Sequence, residues 1–196
     1  MWDLTPGHLY FYGHATSAYN HTMITMPKIS PRLLLLAGFL ASAGLIGAAL
    51  LFQYGMGLVP CPLCIVQRGF VIAIGVTLLI GALHNPRTWG LRLYGVGVVL
   101  LAALGGAVST RQVWLQHLPP GTVAGCGADL DYMLQNFPLL ETATLLWAGT
   151  SDCATVTWSF LGLSMAGWMV LCFAGFATLG IALAWGNKRR QAAPRA

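Results

Sequence analysis

Charge is what this chain has least of. Asp, Glu, Lys and Arg make up 8% of its 196 residues, where a soluble domain carries about a quarter. Hydrophobic residues reach 57% before the 24 glycines are counted, and the mean hydropathy is +0.70. That leaves too few polar side chains to cover a soluble domain, and the chain is far too apolar to be disordered. What remains is an integral membrane protein. The net charge of +5 does not indicate a nucleic-acid partner, because the ten Lys and Arg are scattered and form no patch. A Gly-rich phosphate loop, a Ser-His-Asp set and a His-Glu-x-x-His motif are also missing from the sequence.

About 20 apolar residues cross a bilayer as a helix. Four stretches qualify: Leu33–Phe52, Pro62–Leu83, Leu93–Thr110 and Trp158–Trp185. The expected fold is an all-α integral membrane protein, a four-helix transmembrane bundle over residues 33–185. A cytoplasmic extension (1–32) precedes it and a basic tail (186–196) follows. An even number of spans puts both termini on one side. Lys28, Arg32, Arg87, Arg92, Lys188, Arg189, Arg190 and Arg195 fall on that side, against Arg111 alone on the other. Four of the five acids, Asp129, Asp131, Glu141 and Asp152, sit in the loop 111–157. Positive loops stay cytoplasmic, so the termini are expected inside and this loop exported.

Ala41-Ser42-Ala43 resembles a signal-peptide cleavage site, but the apolar run continues unbroken to Phe52, which favours an uncleaved helix. Met1–Thr25 has no apolar period; it reads as a disordered extension or as the product of a start upstream of Met26. Gly38 with Ser42, Gly44 with Ala48, and Gly105 with Gly106 are candidate small-residue contacts between helices. Within the long loop, Leu130, Met133, Leu134 and Phe137 fall at helical spacing, and Leu139, Leu140, Leu145, Leu146 and Trp147 follow. They read as a short interfacial helix or as cover for the top of the bundle.

Topology sorts the five cysteines. Cys61 and Cys64 sit at the outer end of the second span, Cys126 and Cys153 in the exported loop, and Cys172 deep in the fourth span. Four cysteines therefore share the oxidising face. A Cys-x-x-Cys pair closes a small ring, which is characteristic of a reactive couple rather than a staple. Cys61 is followed by Pro62, which suits a first helical turn, and the helix dipole there favours a thiolate. Arg68 stands one turn beyond Cys64 on the same face. A charge at that depth is costly; it either snorkels to the headgroups or serves the pair by stabilising a thiolate and binding an anionic oxygen. Cys126 and Cys153 close a longer loop, and Gly125 and Gly127 leave Cys126 accessible for exchange. Metal binding by the four cysteines is the alternative, although only one pair is close-set. Cys172 reads as a packing residue. His117, after Trp114 at the outer end of the third span, reads as an interfacial polar residue or a ligand.

On these features the chain resembles the disulfide bond formation protein B family of bacterial inner membranes. The resemblance covers about Leu33 to Trp185. It rests on Pro60-Cys61-Pro62-Leu63-Cys64 entering the second span, Arg68 four residues later, Cys126, and Asp152-Cys153-Ala154. Trp158-Ser159-Phe160-Leu161-Gly162-Leu163 with Trp168 follows. Vitamin K epoxide reductases also couple thiols to quinones, but there the loop pair precedes the Cys-x-x-Cys.

The resemblance implies a thiol:quinone oxidoreductase with Cys61–Cys64 and Cys126–Cys153 as its redox disulfides. Its partner is a soluble periplasmic thioredoxin-fold thiol oxidase, which attacks at Cys126; Cys153 then exchanges with Cys61, and Cys64 faces ubiquinone or, alternatively, menaquinone. Arg68 is implied to hold the quinone oxygen, with His117 as a second residue near it. Gln67 departs from members with an acid before the arginine, which touches only an acidic contribution to the site. The reading from another class is a non-catalytic membrane protein whose cysteines are structural disulfides or metal ligands.

Overall fold

The computed structural model describes residues 30–86, 88–119, 122 and 130–191, with the side chains at 88 and 186–191 excepted. Cys126 with its glycines and its disulfide, the extension before Ser30, and the basic side chains of 87, 188–190 and 195 lie outside these.

Among the described residues, four long helices are apolar enough to cross a membrane: Pro31–Gly55, Pro62–His84, Trp89–Gln116 and Met165–Trp185. The first is an α-helix, α1 (Pro31–Leu50), continued by a π-turn, Leu51–Gly55. Ser30 caps α1 by accepting from the Leu33 N–H at 3.3 Å, and Pro31 occupies the first turn, where its missing N–H costs nothing. Helix α2 (Pro62–His84) ends at Asn85 in the left-handed conformation, φ 43°. Helix α3 spans Thr88–Gln116. It is longer than its apolar run, so Arg111 belongs to the helix rather than to the loop.

The loop after α3 contains α4 (Leu130–Asn136), α5 (Leu139–Ala148) and the single turn α6 (Ser151–Ala154). The Thr142 hydroxyl donates to Met133 O at 3.3 Å and ties α4 to α5, while Leu139 and Leu140 point outward. Arg111 fastens the other end of α5: its Nε donates to Trp147 O at 3.0 Å, and its guanidinium lies 4.2 Å over the Trp114 ring.

The fourth span differs from expectation. Trp158–Ser164 is not helical: β1 (Ser159–Phe160) pairs antiparallel with β2 (Leu163–Ser164), and α7 (Met165–Gln191) begins only afterwards. The cause is the tight turn at Leu161 and Gly162, with φ 52° and 79°. Two successive positive φ values are those of a hairpin turn that suits strand twist.

Packing runs α1 on α2, α2 on α3 and, most extensively, α3 on α7. Leu35, Val71, Ile74, Leu78, Val98 and Phe173 are in the core. Small residues set the spacing. Gly38 leaves room for Leu78 and Leu179, and the buried Ser42 hydroxyl donates to Val71 O at 2.8 Å. Gly105 lies under the Phe173 ring, with Gly106 more loosely beside it. Gly44 faces open space, so it is not a contact. The closest approach of backbone to backbone is Gly95 to Gly180: a Cβ on Gly95 would stand 2.7 Å from Gly180 O. Lipid tails provide no hydrophobic drive between helices, so close backbone contact of this kind holds the pair together.

Candidate functional site

The site forms where the starts of α2 and α6 meet the end of α3. Cys61 is the residue before α2, in extended conformation, with Pro62 as the first helical residue. That geometry puts Cys61 and Cys64 on one side of the first turn. Both are free thiols, with their sulfurs 3.1 Å apart.

Two glutamines back this pair. Gln112 of α3 brings Nε2 to 3.3 Å from the Cys64 sulfur and 3.4 Å from that of Cys61. Its Oε1 accepts from Gln67 Nε2 at 2.7 Å. Both glutamines are buried.

Cys153 arrives from the other side. The chain enters α6 through Gly149, at φ 87°, where a Cβ would strike Leu115. This close approach seats α6 against α3 and leaves Cys153 with no exposed surface. Its sulfur accepts from the Cys61 thiol, from the Thr150 hydroxyl at 3.4 Å and from the Leu63 backbone N–H at the start of α2. The Cys61 hydrogen bond acts most strongly; with Thr150 and the backbone it outweighs burial, and holds Cys153 down to about 6 from its ordinary 9.0. Cys61 is pushed the other way, first because its thiol donates to Cys153, then because it donates to Cys64 and is buried. A single proton shared between neighbouring sulfurs stays on Cys61.

Arg68, one turn below Cys64, turns toward the end of α1. It donates through Nη1 to Gln53 Oε1 and through Nη2 to Ala49 O at 3.2 Å. Gln53 lies in the π-turn. Such turns change the helical register and often mark functional positions. The guanidinium is thus held by two neutral acceptors, and its other N–H donors have no further partner among the described residues.

Next to these groups is a cavity of about 360 Å³, within the range of small-molecule sites. Cys64, Arg68, Gln53, Gln112 and Gln116 give it a few polar points, and the rest of its wall is largely apolar. Part of that wall is an aromatic row. The Phe52 ring centroid is 5.2 Å from that of Trp158, which stacks on Phe160 at 6.0 Å and 12°, and Trp168 Nε1 donates to Phe160 O at 3.2 Å. A flat apolar ring with polar atoms at its edge suits these walls.

The structure therefore brings together Cys61, Cys64, Cys153 and Arg68, while Cys126 lies outside the described residues. It does not bring His117 to the cavity. That ring is exposed, with Nδ1 2.8 Å from Val113 O, and it is absent from the lining. The preceding residue, Gln116, takes the wall, where its Oε1 accepts from Ser164 Oγ at 2.6 Å. Cys172 in α7 is likewise apart from the site. Sequence reasoning missed Gln53, Gln112 and Gln116. The signal for Gln112 is an uncharged amide at the polar outer end of a membrane-spanning helix, next to Arg111. Gln53 falls one residue beyond the expected span and carries no such signal.

The Disulfide bond formation protein DsbB family matches residues 31–183. Curated relatives called Disulfide bond formation protein B include one from Methylococcus capsulatus, 46% identical over 167 residues, or 85% of this chain and 100% of the relative. One from Saccharophagus degradans is 48% identical over 143 residues, covering 73% and 86%. Disulfide bond formation protein B 1 of Pseudomonas aeruginosa is 46% identical over 156 residues, covering 80% and 96%.

Proposed function

Because the chain belongs to the disulfide bond formation protein B family, we propose that it is a membrane thiol oxidase that passes electrons from a reduced periplasmic dithiol protein to ubiquinone, or alternatively to menaquinone. It lies in the bacterial inner membrane with its termini cytoplasmic and the cysteine end exported. The observation that carries this reading is the meeting of three sulfurs with one cavity. Cys153 abuts Cys61, Cys61 abuts Cys64, and Cys64 shares the cavity wall with Arg68.

The partner is a thioredoxin-fold thiol oxidase. Its thiolate attacks Cys126 of a Cys126–Cys153 disulfide; a bond to Cys126 forms and Cys153 leaves as a thiolate. The Thr150 hydroxyl and the Leu63 N–H remain as donors while Cys61 is held in its disulfide, and they suit Cys153 to leave, since a thiolate stabilised by hydrogen bonds departs faster. The Cys153 thiolate then attacks Cys61 of a Cys61–Cys64 disulfide, and Cys64 leaves toward the Gln112 amide. The partner's second thiol resolves its mixed disulfide and frees Cys126, which attacks Cys153 and releases Cys61. In sum, the partner's dithiol becomes a disulfide and the Cys61–Cys64 disulfide becomes a dithiol. A bound quinone supplies the two-electron, two-proton acceptor that restores that disulfide. The residues present fit such a headgroup: Phe52 and Trp158 offer flat apolar cover, and Arg68, steadied by Gln53 and Ala49, offers donors to a ring oxygen.

Purified chain in ubiquinone-containing bilayers should oxidise a reduced thioredoxin-fold dithiol protein. If Cys64→Ser oxidised it at the normal rate, the relay would be wrong. In cells, blocked respiration should leave these cysteines reduced; structural disulfides would stay oxidised.

A further inference from the structure

Gln67 and Gln112 are buried polar side chains in an apolar bundle, at 3% and 4% exposure. An amide in such a place is costly unless its hydrogen bonds are made. Gln67 Nε2 donates to Gln112 Oε1 at 2.7 Å, which occupies the oxygen end of Gln112 and sets which way that amide faces. Its nitrogen end faces the reactive pair, 3.3 Å from Cys64 and 3.4 Å from Cys61; the longer bond in which the Cys64 thiol donates to Gln112 Oε1, at 3.7 Å, is lost once Cys64 ionises. One –NH2 carries two hydrogens, enough to serve both sulfurs.

Donors aimed at sulfur do not treat the two redox states alike. A thiolate accepts a charge-assisted hydrogen bond, whereas a disulfide sulfur is a weak acceptor. Stabilising the reduced form makes a couple more oxidising. We propose that Gln67 and Gln112 form an amide relay that sets the Cys61–Cys64 couple to be a stronger oxidant: Gln112 donates to the sulfurs, and Gln67 is the positioning residue that keeps its amide turned toward them. This rests on reading Cys61–Cys64 as the redox pair.

The test uses the full chain in quinone-free lipid nanodiscs, equilibrated with glutathione. Two glutathione thiols convert the Cys61–Cys64 disulfide to two thiols and become one glutathione disulfide. Alkylation and peptide mass spectrometry then read the fraction of each form. Gln112→Met keeps the length and removes the donor; Gln112→Leu is the second variant should the first fail to show a thermal transition. Either should shift the equilibrium about tenfold toward the disulfide, the size of one hydrogen bond to a charged group. Gln67→Met should shift it the same way by less, and adding it to Gln112→Met should change nothing further.

Destabilisation common to both redox states cancels in this equilibrium, so a merely structural role would not move it. A shift at Gln112 below about threefold, against the strength of such a bond, overturns the relay. So does a Gln67 effect that persists in full without the Gln112 amide. Failure of the oxidase reading would appear elsewhere, as no quinone-dependent oxidation by the unmodified chain, which the glutathione titration does not involve.

Discussion

The Cys61 thiol donates to the sulfur of Cys153, so the residue that precedes α2 and one in α6, far apart in sequence, share one proton. In the reduced protein this lowers Cys153 to about 6. The sign follows. The folded state releases the Cys153 proton more readily than the unfolded chain, where that thiol keeps its ordinary 9.0. The resulting stability is present in full above pH 9.0 and is lost as pH falls through about 6. Ultraviolet thiolate absorbance, taken as the difference between the native chain and Cys153→Ser, should titrate near 6. In Cys61→Ala the Cys153 midpoint should climb back toward 9.0. A midpoint near 9.0 in both proteins would remove Cys61 as the cause.

Thr150 supplies a second hydrogen bond to the same sulfur, at 3.4 Å. Thr150→Val keeps the shape and removes that donor. It should raise the Cys153 midpoint and cost about 1 kcal/mol of stability, the net size of one such bond. Exchange with the dithiol partner should slow, because Cys153 becomes a poorer leaving group. A stopped-flow measurement of the first exchange step that gave an unchanged rate would contradict this.

Arg68 is tied to Gln53 and Ala49 by its own hydrogen bonds, and a shorter or single-point cation cannot reproduce that fork. Arg68→His should raise the apparent KM for ubiquinone about tenfold or more, the loss of a charged hydrogen bond. Gln53→Leu should move it in the same direction by less. The KM for the dithiol partner should stay where it is. Steady-state kinetics with each substrate varied in turn separates the two, and an unchanged quinone KM in Arg68→His would remove Arg68 from that role.

Gly95 and Gly180 bring α3 and α7 together. Gly95→Ala would place a methyl against Gly180 O and the Ala184 backbone. Forcing the helices apart should cost about 1–3 kcal/mol. Thermal unfolding in nanodiscs should show a lower midpoint for Gly95→Ala but little change for Gly44→Ala, whose position is open. Equal midpoints for the two variants would mean that this contact does not hold the bundle together.

The bundle was legible because charge is so expensive in lipid that its absence marks the helices; two of the four came out close to their limits, while α3 runs several residues past its apolar stretch at both ends. Trp158–Ser164 was not legible, because hydropathy registers only that these residues are apolar; the backbone turn at Leu161 and Gly162 leaves no trace in it. The site was legible where its chemistry is rare. Cys-x-x-Cys and a lone arginine stand out in a membrane span. An amide does not, so Gln112 and Gln53 passed unnoticed, and His117 drew attention that belonged to Gln116, its neighbour. Direction around a helix decides that difference, and one residue turns it by about 100°.

The π-turn at Leu51–Gly55 makes the site depend on a count of residues. A π-turn holds one more residue than an ordinary helical coil, so the segment is a place where the chain can gain or lose a residue and still remain helical. Removing one ahead of Gln53 would leave α1 intact and tighten the turn, so that Gln53 would stand one position earlier on the helix and face a different way. Gln53 would then swing away from Arg68. Chain length at this point therefore functions as a side chain does, and a single-residue deletion here would disable the arginine without altering it.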